Sequence, residues 1–206
     1  MDKKLLEVYN YENKIRIGSN SDGGYVICKI PGNYDCYISC GISNEASFDR
    51  DFLNLYKNIG KNNSYAFDGT IEDYPWHYTK NINFIKKNIS NINDNKHTNL
   101  KYLLKNYNNI FLSMDIEGGE YEWLKSLEEY ELNKFKQICI EFHGLNDDNY
   151  GCSVKEKMNC LKKINKTHYL VHAHGNNFGP IVDNIPYVLE LTYVRKNSIN
   201  IPKKKQ

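Results

Sequence analysis

The chain has no long apolar run and no excess of charge of one sign. Its 206 residues include 27 Lys and Arg against 25 Asp and Glu, so the formal net charge is only +2. A protein with so small a net charge has no overall field that would attract nucleic acid. No stretch is long enough to span a bilayer, and the first residues lack the apolar core of a signal peptide. We therefore expect a cytoplasmic protein that binds neither a membrane nor a nucleic acid.

Paired cysteine motifs are also missing. The six cysteines form no CxxC pair and no spacing typical of zinc ligands. Several lie in apolar runs, where a free thiol behaves as a small hydrophobic side chain. The only basic run is the three lysines at 203–205, which is weak evidence for a polyanionic partner. We interpret residues 197–206 as a basic flexible tail.

Strand-like and helical patterns alternate along the chain. Apolar runs typical of strands lie at 25–28, 35–40, 64–67, 82–89, 110–114, 138–142, 168–172 and 187–194. Helical spacing of apolar residues occurs at 45–59, 98–106, 154–164 and from Glu120 onward. Repeated strand–helix units predict a mostly parallel sheet with helices on both faces. The last two strands have no helix between them, which predicts one antiparallel strand. We expect a single domain over residues 1–206, with 1–30 as an N-terminal appendage.

The segment 111–120 carries the strongest chemical signal. Its apolar run ends in Asp115 and Glu117, which are followed by two glycines and Glu120. Open α/β sheets bind their ligands at the carboxyl ends of strands, so Asp115 is predicted to face a crevice. Glu117 is either a substrate-binding residue or merely solvated. Glu120 opens a helix, where its charge suits the macrodipole.

A small-residue loop and a spaced acid predict a nucleoside ligand. The loop 39–44 precedes a helical pattern, and free amides at such a place suit an anionic group. Asp68 ends the next strand, where an acid accepts hydrogen bonds from ribose hydroxyls; a plain Asp-Gly turn is the alternative. The motifs G-x-G-x-x-G and G-x-x-x-x-G-K-[ST] are missing, which argues against a nicotinamide enzyme and a P-loop NTPase. The predicted cofactor-binding residues are Ser39, Gly41, Ser43, Asp68, Gly69, Thr70 and Asp115.

These residues resemble the class I S-adenosylmethionine-dependent methyltransferases, specifically the FkbM-type branch. The strongest match is Met-Asp-Ile-Glu-Gly-Gly-Glu at 114–120, with Trp123-Leu124 after it. The first and second motifs, the fifth strand and the antiparallel seventh strand are matched by 35–41, 65–68, 138–143 and 188–193. The resemblance spans about 15–195. It implies a Rossmann-like fold with a mostly parallel seven-stranded sheet and an antiparallel last strand. It also implies methyl transfer from S-adenosylmethionine, most often to a hydroxyl of a sugar or a glycosylated small molecule.

The first motif departs from the family's usual pattern. Family members commonly have Asp-x-Gly-x-x-x-Gly, whereas Ser39-Cys-Gly41 lacks both the acid and the second glycine. The methionine end of the cofactor is therefore expected to be held differently, and residues 22–24 are one candidate.

The chemistry of a hydroxyl acceptor indicates further residues. A sugar hydroxyl is a poor acid, so a base or a metal must help to remove its proton. Asp115 and His143 end neighbouring predicted strands and are the predicted catalytic residues. They either share a Mg²⁺ or Mn²⁺ ion, or His143 is a general base oriented by Asp115. A capped histidine without a function is a further alternative.

The loop after residue 172 contains a second group of polar residues that are close together in the sequence. His174, Asn176 and Asn177 are predicted to bind the acceptor, although an ordinary Asn-Gly turn is about as well supported. Three functions follow: a small-molecule or glycan O-methyltransferase, a catalytically silent binding module, and a nucleic-acid methyltransferase. The third is disfavoured because its motifs and a basic aromatic patch are missing. The oligomeric state stays open, with a homodimer as one option.

Overall fold

The structure, a computed structural model, describes residues 2–21, 23–176, 179–182 and 184–200. In these ranges the strands are β1 Lys14–Gly18, β2 Gly24–Cys28, β3 Cys36–Cys40, β4 Ser64–Phe67, β5 Asn83–Ile85, β6 Asn88–Ile89, β7 His97–Thr98, β8 Ile110–Met114, β9 Phe135–His143, β10 His168–Gly175, β11 Ile181–Val182, β12 Ile185–Pro186 and β13 Val188–Arg195. The α-helices are α1 Ser47–Leu55, α2 Lys101–Leu104, α3 Glu120–Ser126, α4 Glu129–Leu132 and α5 Val154–Thr167, and short 3₁₀ turns lie at Lys3–Leu6, Lys61–Asn63 and Lys196–Ser198.

Seven strands form the central sheet in the order β10-β13-β9-β8-β3-β4-β5. The neighbouring pairs from β9 to β5 are parallel, and β13 is antiparallel to both of its neighbours. This arrangement confirms the predicted mostly parallel sheet with an antiparallel last strand. The chain runs from β3 outward to β5 and then returns to β8 on the other side of β3. The carboxyl ends of β3 and β8 therefore form the switch point at which such sheets bind ligands.

Both faces of the sheet are covered, as its apolar strands predicted. All residues of β8 and β9 are buried, which is typical of parallel strands between two helical layers. On one face, Phe52 of α1 stacks on Tyr37 and Phe111, with ring centroids 4.5 and 4.1 Å away. On the other face, Trp123 and Leu124 of α3 are fully buried. The strands that carry the strand-end acids are thus held rigidly.

Two helices, α1 and α2, are shorter than predicted. Only α2 forms within 98–106, because Leu100 adopts a left-handed conformation with φ of 64° and interrupts the helix before Lys101. The Trp123 indole donates to the Asn99 carbonyl at 3.1 Å and holds this turn. The stretch 82–89 divides into β5 and β6. The long helix predicted over 45–59 is α1 alone.

An N-terminal hairpin of β1 and β2 packs beside α1, and β1 was not predicted. Buried hydrogen bonds join this hairpin to the sheet. The Gln137 side chain accepts from the Cys28 amide at 2.7 Å and donates to the Cys28 carbonyl at 3.0 Å. The Thr192 hydroxyl donates to the Val26 carbonyl at 2.6 Å. These bonds fix β2 against β9 and β13, so that Tyr25 reaches the strand-end acids Asp115 and Glu141.

Within the described ranges, every helix is too short or too polar to cross a bilayer. All six cysteines are buried free thiols.

Candidate active site

Two cavities of about 350 Å³ each open at the carboxyl ends of β3 and β8. Both are lined by Gly41, Ser43, Asp115 and Glu117. The first, called here the Asp68 cavity, continues along Phe67, Asp68, Thr70, Lys87, Asn88, Ile89 and Ile116. The second, the Asp49 cavity, continues along Ser21, Gly23, Tyr25, Ser39, Cys40, Ile42, Asn44, Glu45, Phe48, Asp49 and Ser113. Because the cavities share four residues, one elongated ligand can occupy both.

Gly41 lets the ends of β3 and β8 approach each other. Its φ is 78°, and a Cβ atom there would lie 1.6 Å from the Asp115 carbonyl oxygen. The Asp115 amide donates to the Cys40 carbonyl at 3.0 Å, and the Gly41 amide donates to Phe67 at 2.9 Å. Only glycine fits this close approach, so the predicted ligand loop is built by backbone contact.

Asp68 holds the Gly41 loop with all of its acceptor positions. Its Oδ2 accepts from the amides of Ile42 and Ser43 at 2.8 and 2.9 Å. Its Oδ1 accepts from the Thr70 amide at 2.7 Å and the Thr70 hydroxyl at 2.5 Å. Burial alone would raise the pKa of Asp68, but these donors lower it below its usual value. A carboxylate accepts about four hydrogen bonds, so a ribose hydroxyl has to replace one of these donors.

The neighbouring Gly69 lines neither cavity. Its amide donates to the Asn88 side chain at 3.2 Å, and a Cβ atom at this position would clash with that side chain. Gly69 therefore shapes the turn after β4, and its role in cofactor binding stays a prediction.

His143, at the end of β9, is oriented by Glu120. The imidazole Nδ1 lies 3.3 Å from Oε1 of Glu120, whose side chain is fully buried. A carboxylate only accepts, so Nδ1 donates and Nε2 faces away. The same Oε1 accepts from the Ile116 and Gly118 amides at 3.3 and 3.2 Å. Glu120 thus fixes both the imidazole and the acidic turn, a role that goes beyond its predicted place in the first helical turn.

Three more carboxyl groups face His143 Nε2. Glu117 Oε2 lies 3.4 Å away, Glu141 Oε1 3.7 Å and Asp115 Oδ1 3.9 Å. The Tyr25 hydroxyl, from the hairpin, lies 3.3 Å from Asp115 Oδ2 and 3.1 Å from Glu141 Oε2. A phenol has one proton to donate, so its second contact is favourable when that carboxyl is itself protonated. We call His143 and these carboxyl groups, with Glu120 and Tyr25, the acidic cluster.

The charges of the acidic cluster shift the pKa of its members. Burial, with the nearby Asp115 charge, raises the pKa of Glu141 to about 8. Burial by itself lowers the pKa of His143, but Glu120, Asp115 and Glu141 together raise it to about 9. The cluster therefore holds excess negative charge that favours a proton or another cation.

The arrangement matches a metal site in its donor chemistry. Ligand atoms of Asp115, Glu117 and His143 lie within 4.8 Å of one another. Two carboxylates and one imidazole suit Mg²⁺ or Mn²⁺. Oε2 of Glu120 is buried and has no hydrogen-bond partner in the described part of the chain. A carboxylate behind a ligating histidine is a common outer-shell arrangement at metal sites.

Sequence reasoning missed three members of the acidic cluster. Glu141 was detectable, because it lies two residues before His143 on a strand and so shares its face. Glu120 was also detectable, because helical spacing places it on the buried stripe with Trp123 and Leu124. Tyr25 had no local signal, since it is 90 residues from Asp115 along the chain.

The predicted acceptor residues lie beside the cluster to different degrees. The Asn176 side-chain amide donates to Glu141 Oε1 at 3.4 Å. His174 is exposed and pairs in register with Glu190, which in turn pairs with Glu141. These three residues form a polar row across β10, β13 and β9. Asn177 lies outside the described residues, as does Asp22, whereas Gly23 lines the Asp49 cavity.

The loop 144–150 forms a wall over the acidic cluster. The Tyr150 ring contacts His143 edge-on, with centroids 6.2 Å apart, and a Cβ atom on Gly118 would clash with it. Lys157 of α5 is fully buried below this loop. Its ammonium donates to the Gly144 carbonyl at 2.6 Å and to two further oxygens of the loop at 2.6 and 3.0 Å. A buried lysine therefore fixes the wall of the site.

Comparison with known proteins assigns the family. The chain is similar in structure to the precorrin-6y C5,15-methyltransferase of Geobacter metallireducens GS-15, with 13% identity, 82% and 84% of the two chains covered, and a TM-score of 0.43. It is also similar to the Methanococcus jannaschii fibrillarin pre-rRNA processing protein, with 14% identity, 80% and 68% covered, and a TM-score of 0.45. No curated protein matches the chain. The profile of the Methyltransferase FkbM domain matches residues 8–180, and since this is most of its length, the chain belongs to the FkbM methyltransferase family.

Proposed function

We propose that the protein transfers the methyl group of S-adenosylmethionine to a hydroxyl of a sugar, in a glycan or a glycosylated small molecule. Methyltransferase family membership implies the cofactor. The observation that carries the proposal is the position of the acidic cluster. Asp115 and Glu117 belong to this cluster and line both cavities at the switch point. A methyl group presented between the cavities thus lies beside the groups that handle the acceptor.

The two cavities fit the two ends of this cofactor. Asp68 and Thr70 surround the first cavity, where ribose hydroxyls find acceptors and donors once one existing bond is replaced. The second cavity is polar and has carboxylates in its wall, which suits an amino acid group. The residues Gly41 and Asp115, which line both cavities, would then lie beside the middle of the cofactor.

A divalent cation fits the acidic cluster for reasons of charge. Asp115, Glu117 and His143 would hold it, because their ligand atoms already lie within 4.8 Å of one another. When bound, it would offset the excess carboxylates and lower the pKa of a coordinated hydroxyl. Glu120 keeps the proton on Nδ1 of His143, which leaves Nε2 for the ligand side. Four carboxyl groups surround the single imidazole of His143, and this excess of negative charge favours the metal over a lone general base.

The remaining residues orient the acceptor. Methyl transfer is an in-line displacement, so the oxygen must be held against the methyl group, and positioning supplies much of the rate. Asn176 offers an amide beside Glu141 for sugar hydroxyls. Tyr150, in the loop 144–150, packs edge-on against His143 and helps to fix the orientation of its imidazole.

Methyl transfer from S-adenosylmethionine to a panel of deoxysugars and glycans tests the proposal, with products identified by mass spectrometry. We expect a singly O-methylated sugar whose formation stops with EDTA and returns with Mg²⁺ or Mn²⁺. His143→Ala should reduce the rate at least about 100-fold. The matched control is His97→Ala, which removes an imidazole that pairs with Asp94 and lines neither cavity.

Other outcomes would redirect the assignment. Methylated RNA or DNA in a parallel incubation would replace the sugar by a nucleic acid. If S-adenosylhomocysteine fails to bind by calorimetry and no acceptor is methylated, the protein is a silent binding module.

A further inference from the structure

The Asp49 cavity contains a buried carboxylate that none of the steps above uses. Asp49 lies in the first turn of α1 and is only 2% exposed, yet it lines the cavity together with Glu45 and Ser39. Its Oδ1 accepts from the Tyr37 hydroxyl at 2.6 Å, and its Oδ2 accepts from the Tyr74 hydroxyl at 2.8 Å. Two neutral phenols thus hold a charged group at the cavity wall.

No described cation pairs with this carboxylate. The ion pairs of the described ranges involve the neighbouring Asp51 but not Asp49. Both phenols are neutral donors, because burial and the Asp49 charge raise the pKa of Tyr37 and Tyr74. A buried carboxylate without a counter-charge is costly, and burial accordingly raises the pKa of Asp49. A cationic ligand in the cavity would remove this cost.

Asp49 keeps acceptor capacity for such a ligand. A carboxylate accepts about four hydrogen bonds, and Asp49 has three protein donors, which are the hydroxyls of Tyr37, Tyr74 and Ser39. Glu45 adds a second negative charge to the same wall, since its Oε1 accepts from the Ser47 amide at 2.6 Å and its Oε2 from Tyr78 at 3.1 Å. The Ser39 hydroxyl of β3 also lines the cavity and hydrogen-bonds to Asp49. The cavity therefore presents negative charge from α1 and its preceding loop, in addition to that of Asp115 and Glu117 after β8.

We propose that Asp49 binds the α-ammonium group of the cofactor's amino acid moiety, with Glu45 as the second acid of this subsite. S-adenosylmethionine has one ammonium group, and it lies at the end of the molecule opposite the adenine. With the ribose at Asp68, that end lies in the Asp49 cavity. The acid that is missing at position 39 of the first motif is thus supplied from the first turn of α1. The inference rests on the cofactor that the family implies and is independent of the acceptor.

Paired titrations with S-adenosylhomocysteine and 5′-methylthioadenosine test the inference. The second compound keeps the adenosyl thioether but has no ammonium group. Asp49→Asn should weaken S-adenosylhomocysteine about tenfold or more, as expected for the loss of a charge-assisted bond. Methylthioadenosine should change less than about twofold, because its contacts do not reach Asp49. The double variant Ser39→Asp/Asp49→Asn places an acid at the usual position of the first motif. It should restore part of the lost affinity for S-adenosylhomocysteine.

Asp51→Asn is the matched control on the same helix. Asp51 pairs with Arg50 and the Gly18 amide and lines neither cavity, so both ligands should bind this variant as they bind wild type. If Asp49→Asn does not fold, the double variant Asp49→Asn/Tyr74→Phe replaces it. The second change removes the Tyr74 hydroxyl, a donor that would face the new amide nitrogen. Ligand affinities of the double variant are then compared with those of Tyr74→Phe.

Equal weakening of both ligands would overturn the inference and make Asp49 a structural residue. Unchanged binding of both would place the ammonium elsewhere. A wild-type protein that binds neither ligand would also contradict it. Selective loss of S-adenosylhomocysteine without any methylated sugar would keep this inference and reject the proposed acceptor.

Discussion

Asp68 and the acidic cluster both place carboxylates at the same edge of the sheet, but only Asp68 has a protein donor at each of its acceptor positions. Asp68 accepts four hydrogen bonds from backbone amides and a hydroxyl, and these lower its pKa. Glu141 contacts the Tyr25 phenol and the Asn176 amide, but burial and the charge of Asp115 raise its pKa to about 8. A carboxylate that accepts hydrogen bonds from the backbone stabilises a loop, whereas carboxylates that repel one another favour the binding of a cation. The comparison separates a carboxylate that supports the site from those that we propose perform its chemistry.

After His143→Ala, the largest expected effect is that of Glu120→Gln. The amide keeps the size of the side chain but cannot both accept from the Ile116 and Gly118 amides and offer a charge to His143. We expect methyl transfer to fall about 10- to 100-fold, as for outer-shell carboxylates at other metal sites. Affinity for S-adenosylhomocysteine should stay within about threefold, because Glu120 lines neither cavity. Calorimetry and initial rates over a range of Mn²⁺ concentrations measure both quantities.

An equal fall of rate and cofactor affinity in Glu120→Gln would instead show a general distortion of the acidic turn. Glu122→Gln is the control, since Glu122 lies on the same helix but pairs with Lys125.

Asp68→Ala should affect stability and cofactor affinity, and not the response to a metal ion. It removes the acceptor for three backbone amides and one hydroxyl. We expect the free energy of unfolding to fall by about 2 kcal/mol, as for buried donors left unpaired. Affinity for S-adenosylhomocysteine should fall about tenfold or more, while the response of the remaining activity to Mn²⁺ stays unchanged. Urea denaturation and calorimetry check these outcomes, and a lost Mn²⁺ response would mean that the two regions are coupled.

Lys157→Met tests whether the wall over the acidic cluster depends on its buried ammonium. The change leaves three loop oxygens without their donor. We expect a loss of about 2 kcal/mol in the free energy of unfolding and a several-fold lower rate of methyl transfer. Methylthioadenosine binding should be unaffected, since residues 144–150 do not line the Asp68 cavity. Lys162→Met, on the same helix, is the control, and a matching loss there would contradict a specific role for Lys157.

The smallest effect concerns pH. The folded state lowers the pKa of Asp68, so its ionised form contributes stability that is present above the unfolded pKa of about 3.9. This contribution is lost as pH falls through the lower, folded value. Wild type should therefore lose stability more steeply below about pH 4 than Asp68→Asn, by less than about 1 kcal/mol because the group is partly solvated. Urea denaturation from pH 3 to 7 measures the difference, and parallel curves would contradict the inferred ionic role.

The predicted site residues that lie at one edge of the sheet share a local signal. Gly41, Asp68, Asp115 and His143 all follow short apolar runs, and parallel strands bring their carboxyl ends to one edge. Their convergence therefore follows from strand order, which the alternation of patterns predicts. His174 lies within β10, an outer strand of the sheet, and this residue is exposed and lines neither cavity.

The sequence by itself determined the fold class, the switch-point loop and the acids at the strand ends, because periodicity and strand-end chemistry are local properties. Only the tertiary structure decided which acids are satisfied. Tyr25 reaches Glu141 across 116 residues of chain, and Asp49 meets Tyr74 from a separate loop. The free energy of a buried carboxylate depends on the donors and charges packed around it, and distant segments supply these only when the chain is folded.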